Sequence, residues 1–336
     1  MAKRNASASA FGWDFQVNAA IVLMLENIAD AEFVRVEGET EDIEITLSNG
    51  QKIYSQAKSV EKSSSDFKNV KSKMQDAIDS LSEAYTNGDA KELIYVTNSP
   101  NPFNDKKTMN IFYGSATRSY ESLPDTCQKT IKTMINKISS EIDFDTNLFT
   151  VRVIPFETVN LDERYKEIKR KVDDFVYGIA SNFPGMGKQV LDIWQKDLFQ
   201  NATVTDTSRL ISKKDLIWSI IVIASDIEKN ESEYLEEIDE CDYNELVHTY
   251  KTLINSSIER FEFATKVITD YNNFSFTGLL REKLGFFIDS SWTEYEDEFD
   301  SIDIEEDIKE QLIKIILYNI LKQKRMISNV KKKVNL

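Results

Sequence analysis

Hydrophobic positions first recur at helical spacing. Over Ala10–Asn27, the residues Phe11, Phe15, Ala19, Val22 and Leu25 (or Leu23) share one stripe, which predicts an amphipathic helix. The period then shortens. Phe33 to Glu37 is a brief β-rich run, and Asp42 to Leu47 alternates polar and apolar residues as a half-buried strand does. Ser48-Asn49-Gly50 readily supplies the positive φ of a tight hairpin turn, and Lys52 to Ser59 returns as its second strand. Ser64 to Tyr85 reads as a helix, with N-cap candidates in Ser63-Ser64-Ser65-Asp66 and with Phe67, Val70, Met74, Ile78 and Leu81 on one face. Glu92 to Thr97 is a buried strand, stopped by Asn98-Ser99-Pro100-Asn101-Pro102. A short helix near Ile111 to Tyr120, a helix from Pro124 to about Ser140 and a strand over Phe149 to Phe156 follow. Leu161 to Ala180 is then a charged helix carrying Arg164, Lys166, Lys169, Arg170 and Lys171.

Beyond about residue 186 every pattern is helical: Val190 to Phe199, Lys213 to Ala224, Tyr243 to Tyr271, Phe276 to Ile288 and Glu305 to Lys333. The tail Asn329 to Leu336 is basic and is expected to fray. The expected architecture is therefore α/β, a mixed sheet flanked by helices, followed by an all-helical C-terminal region. The first domain would cover residues 1–160, or reach as far as 225, and the helical region 161–336. Only 10 Gly and 5 Pro in 336 residues agree with long helices.

Composition narrows the chemistry. The single histidine, His248, excludes any multi-histidine metal site. The two cysteines, Cys127 and Cys241, form no C-x-x-C pair, which argues against zinc and for a reducing compartment. The N-terminus lacks the apolar run of a signal peptide, and the run Leu216 to Ala224 is about half the length of a membrane span. A cytoplasmic protein without a membrane anchor is expected. The net charge of −16 is unevenly spread. Residues 226–245 and 294–310 each hold ten acids and one lysine, so these two blocks account for −18 and the rest of the chain is net +2. Such blocks repel DNA and suit a basic protein partner.

The candidate chemistry sits on the hairpin. Pairing of its two strands brings Asp42 near Gln56 and Lys58, and the last two, spaced by two residues, point to one side. A carboxylate, an amide oxygen and an ammonium at one sheet end can serve a hard divalent metal and a phosphate. Asp42 and Gln56 are the metal-ligand candidates, and Lys58 the group for the attacking water or the phosphate. Lys52, Lys62, Lys68, Lys71 and Lys73 are candidate DNA-phosphate contacts.

The order helix, strand, Asp-bearing strand, Gln-x-Lys strand, helix, strand resembles the core of the PD-(D/E)XK restriction-endonuclease-like superfamily. More narrowly it is similar to the nuclease domain of CBASS-type antiphage effector endonucleases. The likeness rests on Gly12-Trp13-Asp14-Phe15-Gln16, on the acidic patch Glu37-Gly38-Glu39-Thr40-Glu41-Asp42-Ile43, on Gln56-Ala57-Lys58 and on Val96-Thr97-Asn98. It covers about residues 8–160, with an extension as far as 225, and it implies Gln16 and Glu37 as supporting site residues. The helical, acidic remainder makes the whole chain resemble the nuclease subunit of Lamassu-type defence systems. The resemblance implies an endonuclease dependent on Mg2+ (or Mn2+) that cuts double-stranded DNA with little sequence preference. It also implies an SMC-like ATPase partner and a homo-oligomer as the active form. Gln56 departs from the acidic residue general in the superfamily and leaves one negative charge fewer for the metal. A non-catalytic nuclease-fold scaffold and a self-sufficient restriction enzyme are the alternatives.

Overall fold

In the computed structural model, which describes residues 7–61, 70–138, 144–179, 185–224, 240–299 and 306–335, the first amphipathic pattern folds as α1 (Ser7–Glu26). A single stripe understates its burial. Eight consecutive residues, Val17 to Met24, are buried, because α1 meets sheet on one side and another helix on the other. It is the one helix among the described residues long and apolar enough to cross a membrane, and its place in the core accounts for that apolarity.

The chain separates into two compact units, Met1–Gly178 with Gly187–Leu216, and Ile179–Met186 with Ile217–Leu336. The first unit is built on a seven-stranded sheet of order β5-β6-β4-β3-β2-β1-β7. Its strands are β1 (Ala31–Val36), β2 (Ile43–Leu47), β3 (Lys52–Lys58), β4 (Ala90–Thr97), β5 (Ala116–Ser119), β6 (Phe149–Val153) and β7 (Ile211–Ser212). β1, β2 and β3 form an antiparallel meander, and β3, β4 and β6 run parallel. The parallel strands carry nearly continuous apolar runs because both their faces are covered. Leu93, Tyr95, Phe149 and Val151 pack with Met74, Ile78 and Leu81 of α2 (Val70–Tyr85) and with Cys127 and Ile131 of α3 (Asp125–Ile135). The opposite layer contains α1 and α5 (Lys166–Tyr177).

Several elements differ from the pattern-based reading. The segment near Ile111 to Tyr120 is not a helix: β5 pairs with β6 at the sheet edge, between 3-10 turns at Met109–Phe112 and Tyr120–Ser122. Four residues are too few to show a period. The charged helix divides at Tyr165 into α4 (Leu161–Arg164) and α5. The Tyr165 ring stands edge-on to Phe156, and its hydroxyl donates to Asp14 Oδ2 at 2.8 Å. β7 is a strand in the region where none was expected; its two residues gain order only by pairing with Phe33 and Val34. It lies between α6 (Met186–Thr203) and α7 (Lys213–Ala224). The Ser63 to Asp66 caps fall outside the described residues.

The second unit is helical among its described residues: α8 (Glu240–Ile258), α9 (Phe261–Asn273), α10 (Lys283–Ser291), α11 (Glu306–Lys322) and α12 (Lys324–Val334). The two long expected helices each break, at Glu259-Arg260 and at Gln323; α8, α9, α10 and α11 share one core of Ile254, Phe263, Val267, Phe287, Ile316 and Ile320, while α12 buries Met326, Ile327, Val330 and Val334. The second acidic block includes a 3-10 helix, Trp292–Phe299, that buries Tyr295 and Phe299. Most of the first block lies outside the described residues. The basic tail does not fray as expected, since Val330 and Val334 are both 0% exposed. Ile327→Ala should therefore cost about 2–5 kcal/mol in chemical denaturation of the full chain. A frayed tail would give no change.

Candidate metal site at the end of the meander

The β2–β3 register sets the site. Ile43 lies across from Ser55, so Asp42, one residue before the strand begins, falls across from Gln56. Asp42 Oδ2 accepts the Ala57 backbone N–H at 2.9 Å, which locks the carboxylate onto β3. Burial raises the Asp42 carboxyl above its ordinary value, opposed by the Lys58 charge, the Ala57 N–H and the amides of Gln16 and Gln56. Four of the five predicted site residues thus meet at Asp42.

Glu37, the fifth, arrives by the connection from β1 to β2. It lies just past the end of β1 and takes a left-handed conformation, φ +54°, that is uncommon for a residue with a side chain. Its N–H donates to the Asp42 carbonyl at 2.8 Å, and the Gly38 N–H donates to the Glu41 carbonyl at 2.9 Å. The connection closes around Glu44, whose Oε1 accepts the Thr40 N–H at 2.9 Å and the Glu41 N–H at 3.4 Å. A Cβ at Gly38 would displace the Glu44 carboxylate from this turn. Burial raises the Glu37 carboxyl, the Asp42 charge adds to this, and Gln16, Lys58 and Arg35 oppose it.

The Thr97-Asn98 pair explains how Lys58 is held. Thr97 Oγ1 donates to the Lys58 carbonyl at 2.8 Å. Asn98 Oδ1 accepts the Val60 N–H at 2.7 Å, and its Nδ2 donates to the carbonyls of Val60 (3.0 Å) and Phe156 (2.9 Å). These bonds fasten the end of β3 to β4 and to the segment after β6.

The candidate phosphate contacts divide. Lys52 belongs to the framework: its Nζ pairs with Glu44 Oε2 at 3.2 Å and lies over the Tyr54 ring. Lys73 donates to the Ser59 carbonyl; burial lowers its pKa, as does the nearby Lys58 charge. Lys71 is exposed on α2. Lys62 and Lys68 lie outside the described residues. The basic run of α4 and α5 is largely neutralised, with Lys166 on Glu163, Arg170 on Glu167 and Asp174, Lys171 on Glu26 and Arg164 on Asp14.

Sequence reasoning missed a further acid of the patch, Glu41. Glu41 is only 3% exposed; its Oε1 accepts from Ser80 Oγ at 2.9 Å, while Oε2 is buried without a partner. Burial pushes its carboxyl up to about 8, opposed by Ser80 and Lys58 and reinforced by Asp42 and Glu44. The available signal was position, directly before Asp42 at a strand entry, but nothing in the pattern marks it as buried.

The donor set suits a hard cation. Glu37 and Asp42 contribute carboxylates, Gln56 an amide, and Gln16 a buried Oε1 that lacks any hydrogen-bond partner. Among the described residues no three His, Cys, Asp or Glu side chains group as a metal would need, so the amides must complete the set. Mg2+ commonly binds through one or two carboxylates and keeps several waters, which two carboxylates and two amides accommodate. Comparison of the chain with protein-family models, with curated proteins and with solved structures returned no match.

In metal-free protein the raised Glu41 carboxyl favours the fold while it is protonated. The folded state holds the proton up to about 8 and the unfolded chain releases it near 4.5, so stability falls as pH rises across that window. Denaturation at about pH 5.5 and about pH 8.5 should show wild type losing on the order of 2 kcal/mol more than Glu41→Gln. Parallel profiles for the two proteins would refute the assignment.

Proposed function

We propose that the chain is a metal-dependent endonuclease that cleaves double-stranded DNA with little sequence preference. The observation that carries this reading is the anchoring of Asp42 to Ala57, which gathers Gln56, Lys58, Glu37 and Gln16 around one carboxylate at a sheet end. Asp42 and Gln56 would hold Mg2+, or Mn2+ in its place, with Glu37 and Gln16 completing the set. When bound, the ion supplies Lewis-acid polarisation of the phosphate and activation of water. Lys58 places a cation beside these acids, where it can orient the attacking water or offset charge developing on the phosphoryl oxygens. Lys71 and the cation of Lys73 would meet phosphates flanking the scissile bond.

By its resemblance the chain would act as the effector of an antiphage or anti-plasmid defence complex, oligomeric when active. The helical unit would meet a protein partner such as an SMC-like ATPase. Two points support that role: the unit has a hydrophobic core of its own, and both acidic blocks fall within its sequence.

The test is direct. Purified full-length protein, dilute and concentrated, is incubated with circular and linear duplex DNA and Mg2+ or Mn2+. Wild type should linearise and then degrade the circle, and Asp42→Ala and Lys58→Ala should each lose about 100-fold or more. If wild type and both variants are equally inert in every assembly state, the scaffold reading replaces this one; cutting at one defined sequence would favour a restriction enzyme.

A further inference from the structure

Arg35 lies one residue before the end of β1 and is only 2% exposed, yet no carboxylate pairs with its guanidinium among its hydrogen bonds. Three carbonyl oxygens take its donors instead. Nε donates to the Glu37 carbonyl at 3.2 Å, Nη1 to the Arg209 carbonyl at 3.1 Å and Nη2 to the Val204 carbonyl at 2.6 Å. A buried cation whose hydrogen bonds all go to backbone carbonyls, with no carboxylate in direct contact, is costly unless the geometry it holds is required. Here it joins two pieces of backbone: the left-handed residue that carries a candidate ligand, and the segment linking α6 to β7.

A second side chain makes the same join. Asn201, at the end of α6, accepts the Val36 N–H at 3.1 Å and donates to the Arg209 carbonyl at 2.7 Å. The residues immediately before Glu37 are therefore gripped from the edge of the sheet by the 201–210 segment. β7 continues this by pairing with Phe33 and Val34. A non-glycine residue at φ +54° persists only where its surroundings hold it there. The carbonyl contact from Arg35 acts on that residue directly, and its positive charge also bears on the Glu37 carboxyl.

We propose that Arg35 is a positioning residue for the candidate metal centre, holding Glu37 in its left-handed conformation and tying it to the 204–209 backbone. The inference rests on the reading of Glu37 as part of a cation site, but its grip on the turn stands independently of the metal. Lysine at this position keeps the charge and loses the planar fork that reaches three carbonyls at once. The loss of such outer support weakens metal affinity by about 10- to 100-fold.

The experiment compares wild type, Arg35→Lys and Arg35→Met with Arg152→Lys in the full chain. Arg152 is an equally buried arginine that binds Glu26 and the carbonyls of Ala116 and Val153, so it controls for general loss of stability. Two quantities are read: hydrogen exchange at the amides of Glu37 and Gly38, and Mn2+ affinity in the absence of DNA. Arg35→Lys should lose about 10-fold in Mn2+ affinity and in protection of those two amides, while Arg152→Lys with a similar fall in Tm loses neither. If Arg35→Met does not fold, Arg35→Lys decides. Unchanged exchange at Glu37 and Gly38 in Arg35→Lys overturns the inference, as does a loss that follows Tm equally in both lysine variants. A wild type that binds no Mn2+ overturns the cation site itself, and exchange then decides the role of Arg35 alone.

Discussion

The Ala57 N–H to Asp42 Oδ2 hydrogen bond is the constraint on which the site depends. It converts a strand register into a chemical position. A one-residue slip of β2 against β3 would turn every side chain of β2 to the other face and move Asp42 away from Gln56. The same slip would bury Thr46 and expose Ile43 and Ile45, which are both 0% exposed, so the hydrophobic core enforces the register that the polar site requires. Packing and chemistry are coupled here through the period of two.

The surroundings of Asp42 hold several acids close together. Burial raises Asp42, Glu37 and Glu41, and Lys58 is the cation that opposes all three. Such a cluster is unfavourable by itself and becomes favourable when a cation neutralises it. The backbone supports are correspondingly dense: Glu44 closes the turn, Arg35 and Asn201 hold its start, and Thr97 with Asn98 holds the end of β3. Lys52 is diverted from this site and stabilises the turn through Glu44.

The cations of α5 show why charge runs mislead. Read along the chain they form a basic helix suited to DNA, but carboxylates at i,i+3 and i,i+4 spacing and the distant Glu26 neutralise most of them. In the second unit an acidic run contains buried aromatics, and a basic tail is anchored by two valines. In each case the apolar positions between the charges determine placement.

Local pattern alone determined the class of the fold, the meander with its Asn-Gly turn, and the meeting of Asp42, Gln56 and Lys58, because periods of two and of 3.6 specify which residues share a face. Gln16 and Glu37 were suggested only by the resemblance, since Gln16 lies on α1 and no strand period reaches it. Only the tertiary structure decided the rest. β5 and β7 are too short to carry a period and exist through pairing with β6 and β1. The burial of Glu41, the pairing of Lys52 and the grip of Arg35 on residues 169 and 174 positions away depend on long-range contacts. No local pattern encodes these, since each is set by what another part of the chain brings to it.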